Sequence, residues 1–450
     1  MNQGLGHLPQ EPVDRFSRPF ARFLRIEALA AVVLLLCAIV ALALSNSQWS
    51  VPYLAFWDMP VGIKFGGIEF SRSIKRWIDD GAMTLFFFIV ALELKREIVL
   101  GELRNPRVTL FSMVAALGGM LAPALIFLLM ERGESAIKGW GVVMATDTAF
   151  VIGCLAVLGS RIPRDLRLFL LSVAIFDDVG AIMVIAIGYG SHVDWSAIAW
   201  AVGALMAIFT MGRIGIRQVS VYSAFGGIVW LSLDLSGIHP TLTGVVLGLM
   251  TPARSWVSDN RLHAILNKVV AYPRGEHWSG DTKDRQDLRR AGVAAREALS
   301  PLERLEMALH PWVAFAVLPF FALANAGLPL STTVVDWRLA AAVTIGLFCG
   351  KPIGVVLFSY LAAKLKVGIR PKELSWPLLA GGALLTGIGF TMAILIAELG
   401  LDAEHLDSGK IGILCGSALS AACGLVVLGW LTSRHQRRKT AGASSARSNS

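Results

Sequence analysis

Charge is scarce in this chain of 450 residues: Asp, Glu, Lys and Arg together make up 16%, against roughly 25% in ordinary soluble domains. Hydrophobic residues reach 55% and the mean hydropathy is +0.62. Those values argue against the two or three soluble domains that a chain this long would otherwise form. Apolar runs recur from residue 24 to residue 432 with one long polar interruption, so a single membrane domain is the simpler organisation. Cysteine is scarce too. Cys37, Cys154, Cys349, Cys415 and Cys423 all lie in apolar stretches without CxxC or Cys/His metal spacing. They read as small packing residues, and no disulfide framework is implied. The net charge is +9, but the basic residues are spread over short loops instead of one stripe, which argues against nucleic acid. In a membrane protein the same excess follows from retention of Lys and Arg on the cytoplasmic side.

A cleavable leader is not expected. Arg15, Arg18, Arg22 and Arg25 precede an apolar stretch, and Ala41-Leu42-Ala43 imitates a cleavage site. The run Leu24–Leu44 nevertheless has the length of a spanning helix, about 20 residues. It reads as an uncleaved first span.

Apolar stretches suggest an all-α polytopic membrane protein with about twelve spans: Leu24–Leu44, Asp80–Val99, Thr109–Met130, Ile137–Leu158, Leu166–Gly188, Ala197–Met211, Val219–Leu235, Leu242–Ala253, Leu305–Leu328, Trp337–Leu361, Trp376–Leu399 and Ile411–Leu431. Alternate loops are basic, as they should be on a cytoplasmic side. That set holds Arg104 and Arg107, Arg161 and Arg164, Arg213 and Arg217, the segment 254–304, Lys364 to Lys372, and the tail from Arg434. The opposite set is sparse, except for the first external loop with Lys64, Arg72, Lys75 and Arg76. The chain then divides into a cytoplasmic N-terminal segment (1–23), a transmembrane domain (24–432) and a basic cytoplasmic tail (433–450) expected to be disordered. The domain includes a polar cytoplasmic loop at 256–300 that forms surface helices or a flexible connection, with a helix start at Ser300-Pro301.

A weak internal echo relates the third to fifth spans to the tenth to twelfth. The fourth span contains Thr146-Asp147-Thr148, and the eleventh contains Gly381-Gly382 and Thr386-Gly387-Ile388-Gly389. Paired interruptions of this kind point to unwound helices around a transporter binding site.

Charges inside the apolar runs carry the functional signal. Asp177 and Asp178 lie between Leu170-Leu171-Ser172-Val173-Ala174-Ile175-Phe176 and Val179-Gly180-Ala181-Ile182-Met183-Val184-Ile185. Two carboxylates there cost roughly 5–7 kcal/mol unrelieved, which packing does not explain. Neighbours on a helix diverge by about 100°, so one carboxylate faces a cation pathway while the other faces an adjacent helix. Burial and mutual repulsion favour protonated carboxyls in general, while a small hard cation such as sodium needs them ionised. Competition between the two, with alternating access, is sufficient for exchange. Asp147 is a third intramembrane acid, flanked by hydroxyls, and Lys351 in Gly350-Lys351-Pro352 needs a carboxylate partner at that depth. Glu93 and Glu97 share a helix face in a charged vestibule, His239 titrates near neutrality, and Glu306 starts the ninth span with His310.

Taken together, Ala145-Thr146-Asp147-Thr148-Ala149, Phe176-Asp177-Asp178, Gly350-Lys351-Pro352 and Leu92-Glu93-Leu94-Lys95-Arg96-Glu97 closely resemble the NhaA sodium/proton antiporters. His310-Pro311-Trp312 and Leu323-Ala324-Asn325-Ala326-Gly327 are also similar to that family, and the likeness runs over most of residues 20–430. The resemblance implies an inverted-repeat fold in which the fourth and eleventh helices unwind and cross. It implies Asp178 as the main sodium ligand and proton acceptor, with Asp177 exchanging a salt bridge to Lys351 for a proton or ion. Thr146 and Asp147 would support the crossing. Glu93, Glu97, His239 and Glu306 match positions tied to pH response, and Asp80 matches an acid at the periplasmic end of the second span. The implied activity is electrogenic export of sodium or lithium against more than one proton, in a bacterial inner membrane, with both termini cytoplasmic. No cofactor is implied. Expected partners are membrane lipids and a second copy, paired through an external hairpin near 62–70. The polar loop and basic tail are longer than is usual in the family.

Other functions lack their residues. An organic-anion symporter would need a mid-span arginine, which is missing. Intramembrane prenyl transfer would need repeated aspartate-rich motifs, and an aspartyl protease a GxGD-like site; neither is present. A transporter, and not an enzyme, is expected.

Overall fold

The computed structural model describes residues 23–65, 68–99, 106–189, 194–214, 218–253, 257–270, 283–330, 335–371 and 374–448. The expectations for residues 1–22, for the turn Gly66-Gly67, for the loop residues Arg104, Arg217 and Lys372, and for 271–282 lie outside them.

Helix dominates because backbone groups in an apolar medium must pair within their own segment. α1 (Phe23–Ser45) and short α2 (Ser50–Trp57) precede an antiparallel hairpin, β1 (Pro60–Phe65) with β2 (Ile68–Ser73), in a register that pairs Pro60 with Ser73 and Phe65 with Ile68. A π turn (Trp77–Ala82) leads into α3 (Met83–Val99), and α4 (Pro106–Met130) follows. The fourth span is split into a 3-10 segment (Ser135–Met144) and α5 (Thr148–Leu158), bent by 41°. Next come α6 (Arg164–Gly188), α7 (Trp195–Ile214), α8 (Val219–Leu235), α9 (Leu242–Met250), α10 (Asp259–Val270) and α11 (Lys283–Ala298). α12 (Pro301–Trp312) continues through a π turn into α13 (Leu318–Asn325), and α14 (Trp337–Ile345) likewise into α15 (Lys351–Lys364). Pro319 and Pro352 stand just after these two π turns, where the missing N–H removes a regular helical bond. The eleventh span is split into α16 (Trp376–Thr386) and α17 (Phe390–Gly400), bent by 48°. α18 (Ala403–Ser448) closes the chain.

Among the described residues, seven helices are long and apolar enough to cross a membrane, or nine if each split pair is one span. The other three expected spans exist as α3, α8 and α9. α8 and α9, with 17 and 9 residues, fall short of the about 20 needed, and α3, long enough together with the π turn that runs into it, carries too many charges to count as an apolar span, so twelve full crossings are not established. α18 also differs from expectation: it continues as helix through the basic tail to Ser448, where composition points to disorder. Ala, Lys, Arg and Gln favour helix, and extending an existing helix avoids the cost of a new nucleus. The polar loop forms the paired helices α10 and α11, and a capping box of Ser300 with Glu303 starts α12.

Loops of one parity touch each other, which gives the molecule two faces. On the hairpin face, Asn46 donates to Leu328, Arg338 to Met130 and Glu134, and Asp194 to Ser236. On the opposite, basic-loop face, Ile369 donates to Arg107 and Leu302 to Pro252. Three of the four basic residues in the first loop, Arg72, Lys75 and Arg76, are matched by acids on the hairpin face. Arg72 pairs with Asp80 and Asp234, Arg76 with Asp80, and Lys75 with Glu398. Charges neutralised in place no longer report which side is cytoplasmic.

α5, α16 and α17 each have 11 residues, about 16 Å of helix or half of a ~30 Å hydrocarbon core. Both breaks therefore lie near mid-depth. One apolar cluster, with Phe87, Phe127, Val143 and Ile394, fills the space on one side of the breaks. Another, with Phe111, Leu155, Leu170 and Leu385, fills the other.

Candidate functional site

The two breaks meet. Asp147 N–H donates to the Ile388 carbonyl at 2.6 Å, linking one unwound strand to the other. The Asp147 carboxylate joins two helix starts: Oδ1 accepts from Phe150 N–H at 3.2 Å in α5, and Oδ2 from Thr391 N–H at 3.0 Å in α17. The Thr391 hydroxyl also donates to Oδ2. A negative charge at two helix N-termini offsets their dipoles and satisfies donors left orphaned by the breaks. Ser417 Oγ, from α18, accepts from Gly389 and Phe390 N–H at 3.2 Å each. Gly387 is needed here for a steric reason, since a Cβ would overlap the Leu347 carbonyl.

α6 passes beside this crossing with Asp177 and Asp178 near its middle. Asp177 is fully buried and Asp178 is 4% exposed. Asp177 Oδ2 accepts from Thr146 Oγ1 at 2.7 Å and from Lys351 Nζ at 2.9 Å, a pair with both side chains fully buried. Lys351 also donates to the Thr146 hydroxyl, whose own hydrogen can be donated to Asp177 or to the Thr386 carbonyl at 2.9 Å. Asp178 diverges as neighbours on a helix must, and its Oδ2 accepts from Thr148 Oγ1 at 3.2 Å. Oδ1 of Asp177 and Oδ1 of Asp178 accept no hydrogen bond from any described residue.

Lysine reaches this depth because α15 lies directly along α4, and α4 along α6. A Cβ on Gly354 would overlap the Gly118 carbonyl. The backbones approach as closely as small residues allow, which brings Lys351 within reach of Asp177.

The five residues expected in pH response do not form one group. Glu97 and Glu306 both pair with Arg96 at the basic-loop end of α3. Glu93, one turn before Glu97, is near enough for its charge to act on Asp178. Asp80 and His239 are instead on the hairpin face, with Asp80 bound to Arg72 at 2.8 Å and His239 Nε2 3.7 Å from Asp80. Burial draws the His239 pKa below its usual value of 6.5 although Asp80 and Asp234 oppose it.

Thr391, Ser417 and the contacts of Glu398 with Lys75 and Lys410 emerge only from the fold. A signal existed for Glu398, which follows the apolar run Ile394-Leu395-Ile396-Ala397. Thr391 stands beside the glycine break, and only the crossing shows which acid it serves.

A family model described as Na+/H+ antiporter 1 matches residues 21–428. The chain belongs to that family. It is 57% identical to the Na(+)/H(+) antiporter NhaA of Rhizobium meliloti (strain 1021), over 97% of this chain and 100% of that protein. Na(+)/H(+) antiporter NhaA 1 of Acidiphilium cryptum (strain JF-5) is 53% identical over 96% of both chains. Na(+)/H(+) antiporter NhaA 2 of Vibrio vulnificus (strain CMCP6) is 48% identical over 97% of this chain and 98% of that one. The solved sodium proton antiporter MjNhaP1 from Methanocaldococcus jannaschii overlaps 93% of this chain and 94% of its own, at 13% identity and a TM-score of 0.44, a likeness too distant to add to the argument. Members of a family so described are transporters, not enzymes.

Proposed function

We infer that this chain exchanges sodium, or lithium, for protons across the bacterial inner membrane, with Asp177 and Asp178 as the shared site. One observation carries the reading. A fully buried Asp177–Lys351 pair stands beside Asp178, and each aspartate keeps one buried oxygen that accepts no hydrogen bond from any described residue. Carboxylate and hydroxyl oxygens suit a small hard cation, and Thr148 adds a hydroxyl beside Asp178.

The charge balance follows from the residues. With both aspartates ionised and Lys351 charged, the site carries one net negative charge, which one sodium ion neutralises. Two protons on the same carboxyls leave the site one charge more positive. Exchange of one sodium for two protons is therefore electrogenic, and the same carboxyls prevent both cargoes from riding together. Protonation of Asp177 frees Lys351, and the crossing near mid-depth is the element that can expose the site to either face in turn.

The rest of the reading is consistent with this centre. The transmembrane domain spans 24–432, the hairpin face is external, and both termini and the loop 256–300 are cytoplasmic. Glu93, Glu97 and Glu306 on one face, with Asp80 and His239 on the other, adjust exchange to pH. Two copies pair through the hairpin around 62–70, in a shell of membrane lipids.

The test is sodium-dependent dequenching of a pH dye in inverted vesicles, comparing wild type with Asp178→Asn. The expected result is loss of the sodium-driven signal in the variant. Proton movement that survives the substitution would remove Asp178 from the site.

A further inference from the structure

The hairpin face holds a second set of shielded charges that the exchange site does not use. Glu398, near the end of α17, accepts hydrogen bonds from two lysines through one oxygen, Lys75 at 2.8 Å and Lys410 at 2.7 Å. The Glu398 side chain is 16% exposed and that of Lys410 only 6%, so salt screens the cluster weakly. Lys75 belongs to the short connection between β2 and the π turn before α3, and Lys410 belongs to α18. Glu398 thus ties the outer end of α17 to two other elements. The inner end of the same helix carries Thr391, which holds Asp147 at the crossing. Clamp and crossing share one regular helix of 11 residues, so movement at one end reaches the other.

A cleft of about 350 Å³ opens beside the clamp, lined by Asp79, Asp80, His239, Leu395, Glu398 and Leu399 among others. A second acid lines this cleft, Asp79, four residues after Lys75 in one continuous helical stretch. Asp79 takes a hydrogen bond from the neutral amide of Asn325 at 2.6 Å and lies within electrostatic reach of both Lys75 and Glu398. Asp80 and Asp234, by contrast, are already engaged by Arg72. A lysine between two acids has two resting places. Its transfer from Glu398 to Asp79 leaves Glu398 with Lys410 alone and uncouples α17 from the start of α3.

We propose that Glu398 is a positioning residue for exchange: its pairing with Lys75 holds α17 closed against the hairpin face, and Asp79 offers Lys75 the partner that releases it. The transport consequence rests on the sodium/proton reading above, whereas the structural consequence does not. Opening a face raises the competent fraction and lowers the apparent dissociation constant seen from that face.

Purified wild type, E398Q, E398D and K75Q in proteoliposomes separate the two consequences, with sodium presented from either face. E398Q and K75Q are expected to lower the sodium KM from the hairpin face roughly five- to hundredfold, the usual span of a coupling between sites. The KM from the basic-loop face should not fall, and E398D should restore wild-type behaviour. In parallel, Leu395→Cys is introduced into wild type and E398Q, and labelled from the hairpin face with a membrane-impermeant maleimide, against the same proteins without that cysteine. Labelling is expected to quicken by a similar factor in E398Q. A KM that falls equally from both faces, or labelling that does not change, overturns the clamp. If wild type exchanges no sodium at all, the function proposed above fails, and the labelling alone still decides the clamp.

Discussion

Removing both partners of the Asp177–Lys351 pair should cost clearly less stability than the two single removals add up to. The two side chains meet at 2.9 Å with neither exposed, so water cannot replace a lost partner without rearrangement. Breaking such a pair from one side typically costs about 3–5 kcal/mol, because an uncompensated charge stays buried. Lys351→Met leaves Asp177 with only the Thr146 hydroxyl. Asp177→Asn leaves the ammonium with the Thr146 hydroxyl and a neutral amide. Asp177→Asn combined with Lys351→Met leaves no charge on either side. Its cost should then fall below the sum of the singles by about 2 kcal/mol or more, well beyond the ~0.5 kcal/mol scatter of independent sites. Equilibrium unfolding of the four proteins in one detergent at one pH measures the cycle. Single substitutions that each cost less than about 1 kcal/mol, or a double that is additive, would refute the buried ion pair as described.

The crossing should respond in kind. Asp147→Ala removes a cap from both α5 and α17, so it is expected to cost about 2 kcal/mol or more, from a lost cap and an orphaned buried donor. Thr391→Val, which keeps the N–H bond, should cost less than Asp147→Ala in the same unfolding assay; the reverse order would contradict the geometry. On the hairpin face, buried His239 has a pKa below 6.5, so near that pH the folded state holds fewer protons than the unfolded chain. Stability is then complete above about pH 6.5 and declines as pH falls through it. Melting profiles from pH 8 to 5 should fall more steeply for wild type than for His239→Gln, and parallel profiles would refute the assignment.

Several of these features were visible in the sequence because they violate the membrane's own chemistry. A carboxylate pair inside a 25-residue apolar helix, or a lysine inside another apolar run, stands out wherever insertion is costly. Broken helices were visible for a related reason: Thr146-Asp147-Thr148 and Gly387-Ile388-Gly389 interrupt otherwise uniform runs. Span boundaries were less visible where length fails, as in α9, whose 9 residues do not make a crossing by themselves. The charge bias of the loops has one exception, and there Arg72, Arg76 and Lys75 find carboxylates on other elements.

By itself, then, the sequence determined that the chain is helical and membrane-embedded, and that Asp177, Asp178, Asp147 and Lys351 are the groups whose burial demands a purpose. Local composition suffices for that, since the cost of each charge depends on its own apolar surroundings. Beyond the Asp177–Lys351 pair that the family resemblance implied, the partnerships and their geometry were decided by the tertiary structure. Lys351 meets Asp177 because Gly118 and Gly354 let α4 and α15 touch backbone to backbone, and Asp147 serves two helices because both breaks lie at one depth. Glu398 is held from two directions by residues more than 300 and just 12 positions away, 398 − 75 = 323 and 410 − 398 = 12. Pairing across such separations depends on how whole helices pack, and no local pattern of residues encodes it.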